Sequence, residues 1–373
     1  MRSIRIIHIV DFENRNIWFE EYLTMMSEYG IKQEVIAIKK NPYLRSFCQE
    51  NSLFFGGGTQ YLVHSMLKIL RGGKADFLLS HGYKPSLFAQ FIAKVFRIRF
   101  IVIHHHQPYF FDLLRSRSHF KGTFHSIIAK MSYHSSFAIQ AFSGEVSRAL
   151  HEYGIPQSKV FVNPIGINLK SLQHYASLSK QESVSHKLEK NIVSVSRLSW
   201  EKNLHLAIEA IALANQMGER IQYSIYGSGP ERESLIELIR YCKAEEFIHL
   251  EGFESEVLSK MQASDLFLHT SLTESYGQVI FEALYLGTPI LSSGVGISID
   301  LAEIYSTRIQ LISDYSTKGL ANQIITMLNG DYTNQPFNEV EVASLHEHSM
   351  SSSVFNLVTF LNNSLGPSSK YRK

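Results

Sequence analysis

Cysteine is scarce in this sequence: 373 residues hold two, Cys48 and Cys242. They stand far apart and in no metal-ligand spacing, so neither a disulfide scaffold nor a metal site built on cysteine is supported; core positions in a reducing compartment are expected. Long apolar runs are also missing. The first, Ile4 to Val10, is interrupted by Arg5 and followed by polar residues, and nothing later reaches the ~20 residues needed to cross a bilayer. A cytoplasmic protein is expected, with any attachment to the inner face of the plasma membrane peripheral. No G-x4-G-K-S/T phosphate loop occurs, Gly56-Gly57-Gly58 does not continue as G-x-G-x-x-G, and there is no G-x-S-x-G elbow. P-loop, dehydrogenase and serine-esterase chemistry lose ground accordingly.

What is present describes a globular protein of two domains: 45% hydrophobic and 19% charged residues, in a chain longer than one core usually supports. The net charge of +2 hides an asymmetry. Through residue 180 there are 22 Lys and Arg against 11 Asp and Glu (+11); the remainder has 14 against 23 (−9). The two halves face different partners.

In the first half, β-rich runs recur at Ile4–Val10, Glu34–Ile38, Phe77–Ser80, Phe100–His104, Phe137–Phe142 and Val160–Asn163, with helix-length segments such as Ile17–Tyr29 and Pro85–Phe96 between them. A second series follows at Ile192–Val195, Gln222–Tyr226, Ile248–Leu250, Leu266–His269, Pro289–Ser292 and Ile309–Ile312. Alternation of this kind implies parallel sheets covered on both faces. The expected fold is α/β: two doubly wound, Rossmann-like domains, 1–168 and 191–349, facing a cleft where ligands collect. Polar 169–190 is the expected linker and 366–373 a disordered tail.

The stretch Thr273–Pro289 is the most informative. Glu274 and Glu282 lie eight apart, Gly277 opens an apolar run, and Gly287 and Pro289 close it, which reads as a helix with Thr273 and Ser275 as candidate caps. A carboxylate beside a helix N-terminus suits an anionic, hydroxyl-rich ligand. A capping glutamate and a solvated one fit the spacing equally. Arg197 and Lys202, five apart across a strand-to-helix loop, could neutralise a departing diphosphate, or could be ordinary surface charges. Tyr226-Gly227-Ser228-Gly229-Pro230 ends a strand with a turn that lets backbone approach a ligand. His104-His105-His106 also ends a strand; since side chains alternate there, a metal site from this run alone is not expected.

At these residues the chain resembles a family. The E-x7-E pattern from Glu274 to Glu282, with Tyr276-Gly277 and a following A-L-x-x-G-T-P, looks like the donor signature of retaining GT-B glycosyltransferases of family 4. Arg197 to Asn203 is similar to that family's G-R-L-x-x-x-K-G element, with Ser196 and Asn203 in place of its glycines. Asn163–Asn168 resembles its interdomain P-N-G-V-D element, rearranged.

The resemblance implies transfer of a sugar from a nucleotide diphosphate to an acceptor hydroxyl with retention, without a cofactor and without a metal. Arg197 and Lys202 would stabilise the diphosphate, Glu274 would hold the donor sugar, and Glu282 the ribose. Ser275, Tyr276, Gly277, Gly227, Gly229 and Phe253 would line the donor, and His105 or His106 would approach the reacting sugar. The first loop, Asp11–Asn16, lacks the family's glycine pair and leaves Asn14 as its candidate donor contact. A UDP-sugar is placed ahead of a GDP-sugar as donor, and a saccharide or lipid-linked saccharide of bacterial envelope polysaccharide as acceptor. The last helix, about 350–365, would return to the first domain.

Gln107–Phe124 mixes aromatic with basic residues, which suits an anionic membrane surface and equally a core helix with solvated flanks. No nucleic-acid motif accompanies it, so nucleic acid is not an expected partner. The alternative function is a catalytically degenerate GT-B protein that binds a sugar nucleotide or a partner.

Overall fold

The computed structural model describes residues 4–13, 15–57, 75–103, 119–177, 189–330 and 337–365. The chain divides into two units, Met1–Ile167 with His346–Lys373, and Asn168–Leu345. The first holds β1 (Arg5–Val10), α1 (Ile17–Glu28), β2 (Lys32–Ala37), α2 (Pro42–Glu50), β3 (Phe54–Gly57), β4 (Phe77–His81), α3 (Tyr83–Phe96), β5 (Arg99–Ile103), α4 (His119–Ser135), β6 (Ala138–Ala141), α5 (Gly144–Glu152) and β7 (Val160–Val162). Its strands form one parallel sheet in the order β3-β2-β1-β4-β5-β6-β7. Ile6, Ile9 and Val10 on β1 and Leu78 and Leu79 on β4 are buried. A strand covered on both faces must be apolar on both, which is why these read as continuous runs.

Helix starts follow local chemistry. The Asn16 side chain accepts the Phe19 N–H at α1, and Asn41 accepts the Leu44 N–H at α2 with Pro42 in the first turn.

The second unit holds α6 (Leu169–Ser177), β8 (Lys190–Val195), α7 (Leu204–Gln216), β9 (Ile221–Tyr226), α8 (Arg232–Tyr241), β10 (Ile248–Gly252), α9 (Val257–Gln262), β11 (Leu266–His269), α10 (Gln278–Tyr285), β12 (Ile290–Ser292), α11 (Ser298–Ile304), β13 (Ile309–Leu311), α12 (Thr317–Asn329) and α13 (Glu339–Glu347). Its parallel sheet runs β10-β9-β8-β11-β12-β13. The order reverses between β8 and β11, and the loops leaving those two strands flank a topological switch point.

The last helix, α14 (Met350–Leu365), belongs to the first unit and packs on α1. Ile167 N–H donates to His348 O and Met350 N–H to Ile167 O, both at 2.9 Å; Asn163 Nδ2 donates to Ser353 O and Trp18 Nε1 to Gly166 O. The rings of Phe161 and Phe360 stack at 4.0 Å.

Three expectations need correction. Residues 169–177, placed in the linker, form α6, because Leu169 and Leu172 are buried within the second unit and hold a turn pattern that the polar composition obscures. Strand β3 was not anticipated; its Phe-Phe-Gly-Gly sequence is short and glycine-rich, yet it pairs with β2 in register from Glu34↔Phe54. Cys48 is buried as expected, whereas Cys242 is only partly so. Residues 178–188 and 366–373 lie outside the described residues.

The first unit buries an ionisable pair. His8 Nδ1 lies 3.1 Å from His81 Nε2, and His8 Nε2 lies 3.2 Å from Gln33 Oε1. Burial pulls His8 down to about 3, with the Gln33 hydrogen bond offsetting part of the shift. His8 is therefore neutral when folded and titrates near 6.5 when unfolded. Its contribution is intact above about pH 6.5 and is lost as pH falls toward 3. The urea midpoint of the protein is expected to drop between about pH 7 and pH 5; a flat midpoint over that range would contradict the neutral buried histidine.

Candidate active site in the second unit

Lys202 and Glu274 meet at the switch point. After β8 the chain passes through Ser196–Ser199 into a 3-10 turn, Trp200–Lys202, and Asn203 then opens α7 in the left-handed region at φ 50°. That conformation favours glycine, and asparagine is the side chain that best tolerates it. The Asn203 departure from the family pattern therefore keeps the backbone path.

After β11 the chain runs through Thr270–Tyr276 to Gly277, at φ 90°, which opens α10. Gly277 stands at the N-cap, and no side chain caps the helix. Thr273 and Ser275 are thus not its caps: the chain enters the helix from a left-handed glycine, two or more residues nearer the helix than the sequence signal indicated.

Three hydrogen bonds, two of them shared by one hydroxyl, stitch these loops together. Thr270 Oγ1 donates to Lys202 O and Asn203 O at 3.0 and 3.1 Å, and Leu272 N–H donates to Glu201 O at 2.8 Å. The fastening brings Lys202 Nζ to 2.5 Å from Glu274 Oε1. His269 Nε2 lies 3.2 Å from the same oxygen and Ser271 Oγ donates to it at 3.0 Å. All three partners fall on Oε1, and Oε2 accepts no hydrogen bond from the described residues.

Burial alone would push the Glu274 carboxyl up, but the His269 hydrogen bond and the Lys202 charge outweigh it and hold the group down at about 2. Because an ionised carboxylate only accepts, the proton in the His269 contact sits on Nε2. The other ring nitrogen, Nδ1, lies 3.0 Å from Ser292 Oγ at the end of the neighbouring strand. His269 and Ser271 were missed by the sequence reading; the usable signal was that His269 ends a strand five residues before Glu274.

Glu282 sits one turn into α10, half-buried, accepting from Gln278 Nε2 at 2.8 Å. Burial raises its pKa, and the Gln278 bond counters this only in part. Ser275 is half-buried. Arg197 is exposed, and its side chain makes no hydrogen bond or ion pair with the described residues. The structure brings Lys202 to Glu274 and leaves Arg197 apart from that pair. Tyr276 is buried, and its carbonyl accepts the Ile297 N–H at 2.7 Å. Phe253, an aromatic that normally fills a core, is instead 87% exposed.

The glycine turn after β9 lies against the first loop of the site. A Cβ on Gly227, at φ 136°, would stand 1.8 Å from Ser196 O, and one on Gly229 would stand 2.2 Å from Leu198 O. Leu198 N–H also donates to Ser228 O at 3.0 Å, so the turn braces the loop that carries Lys202. Gly229→Ala is expected to cost about 3 kcal/mol, since backbone must move to admit the methyl group. Chemical denaturation checks this, and a loss under about 0.5 kcal/mol would show that the brace yields freely.

Asn14, His105 and His106 lie outside the described residues, as does most of Gln107–Phe124. Among the described residues no cluster of His, Cys, Asp and Glu could hold a metal ion, and no helix is long and apolar enough to cross a membrane.

Comparison with known proteins bears on the family and the fold. Residues 177–340 match the family model Glycosyl transferases group 1, and residues 48–171 match Glycosyltransferase Family 4. The putative colanic acid biosynthesis glycosyltransferase WcaL of Escherichia coli is 30% identical over 152 residues, 39% of this chain and 36% of that protein. The amylovoran biosynthesis glycosyltransferase AmsK of Erwinia amylovora is 30% identical over 148 residues, 38% of this chain and 35% of that protein. The chain thus spans about a third of the length of these relatives.

Among solved structures, Anabaena HepE in complex with UDP and glucose superposes with a TM-score of 0.76 at 18% identity, covering 97% of this chain and 100% of that one. A likeness at that identity shows the fold. With one family match falling largely in each α/β unit, the two together spanning residues 48–171 and 177–340, and the fold shared along nearly the whole chain, this protein belongs to the GT-B glycosyltransferases of the family 4 type.

Proposed function

We propose that this protein is a retaining glycosyltransferase that moves a sugar from a nucleotide-diphosphate donor to a saccharide or lipid-linked saccharide acceptor in the synthesis of a bacterial envelope polysaccharide. The observation that carries the reading is the arrangement on Glu274. Three partners fix Oε1, and Oε2 remains to accept from hydroxyls of the donor sugar.

The departing diphosphate builds negative charge as the glycosidic bond breaks. Lys202, held by Glu274, supplies fixed positive charge there, exposed Arg197 on the same loop adds a second cation, and the N-termini of α7 and α10, which no side chain caps, turn N–H groups to the same sheet edge. Glu282 accepts from the ribose hydroxyls. A leaving phosphate oxygen takes the acceptor proton, so the acceptor attacks on the face the diphosphate leaves and configuration is retained. A UDP-sugar is the favoured donor, supported by HepE, whose structure holds UDP and glucose. The acceptor class rests on the polysaccharides for which WcaL and AmsK are named.

The test uses water in place of the unknown acceptor. Incubation with UDP-hexoses, followed by proton NMR, should show slow release of UDP and a free sugar that first appears in the donor's anomeric configuration. Release of the inverted anomer would remove the retaining mechanism, and no release from any nucleotide sugar would favour a binding role.

A further inference from the structure

Two neighbouring helices of the first unit turn apolar residues outward. On α3, Ala89, Ile92 and Ala93 are buried, while Phe88, Phe91 and Val95 are 43%, 68% and 55% exposed. On α4, Ala129 and Tyr133 are buried, while Phe124, Ile127 and Met131 are 55%, 54% and 56% exposed. Both exposed sets follow the i, i+3, i+7 spacing, so each helix carries one apolar stripe toward the core and a second toward solvent. The helices pack side by side, and Ser135 Oγ bonds Gln90 Oε1 at 3.2 Å. An outward apolar surface made from two packed helices marks an interaction site, because solvent-facing stripes are ordinarily polar.

Charge says what covers it. From Phe77 to Gly144 the chain carries eight Lys and Arg and one acidic residue, Asp112. Lys94, Arg97 and Lys130 are exposed on α3, just after it, and on α4. A groove of about 790 Å³ opens beside the stripes, where Phe91, Lys94, Arg99 and Phe137 line it. The Arg99 guanidinium lies 5.3 Å from the centre of the Phe137 ring. A second copy docked on this surface through a two-fold axis would bring like charges together. An anionic bilayer instead meets the basic residues with phosphate and the aromatic side chains with the acyl boundary.

We infer that the α3–α4 surface docks this protein on an anionic membrane, with Phe91 and Ile127 entering the interface and Lys94 and Arg97 meeting lipid phosphate. The surface is distinct from the Lys202–Glu274 site, so its test stands apart from the donor reading.

The experiment is co-sedimentation of the full chain with vesicles of phosphatidylglycerol mixed with phosphatidylcholine, and with phosphatidylcholine alone. Binding is expected only to the anionic vesicles and should weaken steeply as salt rises. Lys94→Gln with Arg97→Gln should lower partitioning roughly 30-fold, from about one kilocalorie per mole for each charge. Phe91→Ser with Ile127→Ser should lower it roughly ten-fold or more at any salt. All four residues are exposed, and circular dichroism with urea unfolding reports that the fold is intact in each variant. Equal binding to both vesicle types, or to neither, would overturn the inference. So would dimerisation in lipid-free sedimentation velocity that Phe91→Ser with Ile127→Ser abolishes.

Discussion

Replacing Lys202 with alanine is expected to lower transfer roughly 100- to 1,000-fold, the loss that follows removal of one group stabilising charge in a transition state. Lys202 touches Glu274 Oε1 and, in the proposed reaction, stands beside the leaving diphosphate, so two effects combine. The direct effect is loss of a cation. The indirect one is release of the Glu274 carboxylate, which keeps His269 and Ser271 but loses its charge partner.

Truncating one member of a largely buried ion pair generally costs 3–5 kcal/mol, roughly, when nothing else compensates. With two hydrogen bonds remaining, a loss of about 2 kcal/mol or less is expected here. The two effects separate in a double-mutant cycle. Lys202→Ala and Glu274→Gln should each cripple turnover, and the double variant should be little worse than either, since contacting groups are not additive. Full additivity would show that the two side chains act independently. Circular dichroism and urea unfolding confirm that the variants remain folded.

Glu282→Gln should move stability and donor affinity in opposite directions. Burial raises the Glu282 pKa, so the folded protein holds this carboxylate at a cost. A raised carboxyl contributes stability below its unfolded pKa and loses it as pH rises through the folded one, so at neutral pH the charge is a liability. The neutral isostere removes that liability and should raise the melting temperature. It also weakens acceptance from the ribose hydroxyls, and hydrogen bonds to a charged acceptor contribute about 1.5–3 kcal/mol, which corresponds to a roughly 10- to 150-fold weaker Kd for nucleotide. A variant that melts lower and binds nucleotide normally would make Glu282 a structural residue.

The sheets were legible because their central strands, such as β1, β4, β5 and β11, are buried on both faces. Each anticipated run of the second series coincides with a strand to within one residue at an end or lies inside it, from Ile192–Val195 within β8 to Ile309–Ile312, which overruns β13 by one residue. Elements without that signature were not legible. β3 contributes Gly56 and Gly57 to its sheet, and α6 meets the core through little more than Leu169 and Leu172.

Within the site, the glutamate pair and its helix could be read from spacing, but the helix cap could not, since Gly277 works through a left-handed backbone and not through a side chain. The ion pair joins residues 72 apart across two neighbouring strand ends, and His269 reaches Glu274 only because β11 stops where it does. Such contacts depend on strand order, which no local pattern carries. Ser196 and Asn203 stand where the family pattern has glycines. The loop nonetheless keeps its course, because Asn203 takes the left-handed angle and Gly227 leaves room beside Ser196 O.

The most direct measurement is a calorimetric titration of the protein with UDP, GDP and ADP, repeated on Lys202→Ala. A nucleotide-sugar site at Lys202 and Glu274 predicts that one nucleoside diphosphate, UDP first, binds at a single site and loses roughly ten-fold or more in affinity when the cation beside its diphosphate is removed. Equal affinity of the folded variant for that nucleotide, or binding of none of the three by the wild-type protein, would contradict it.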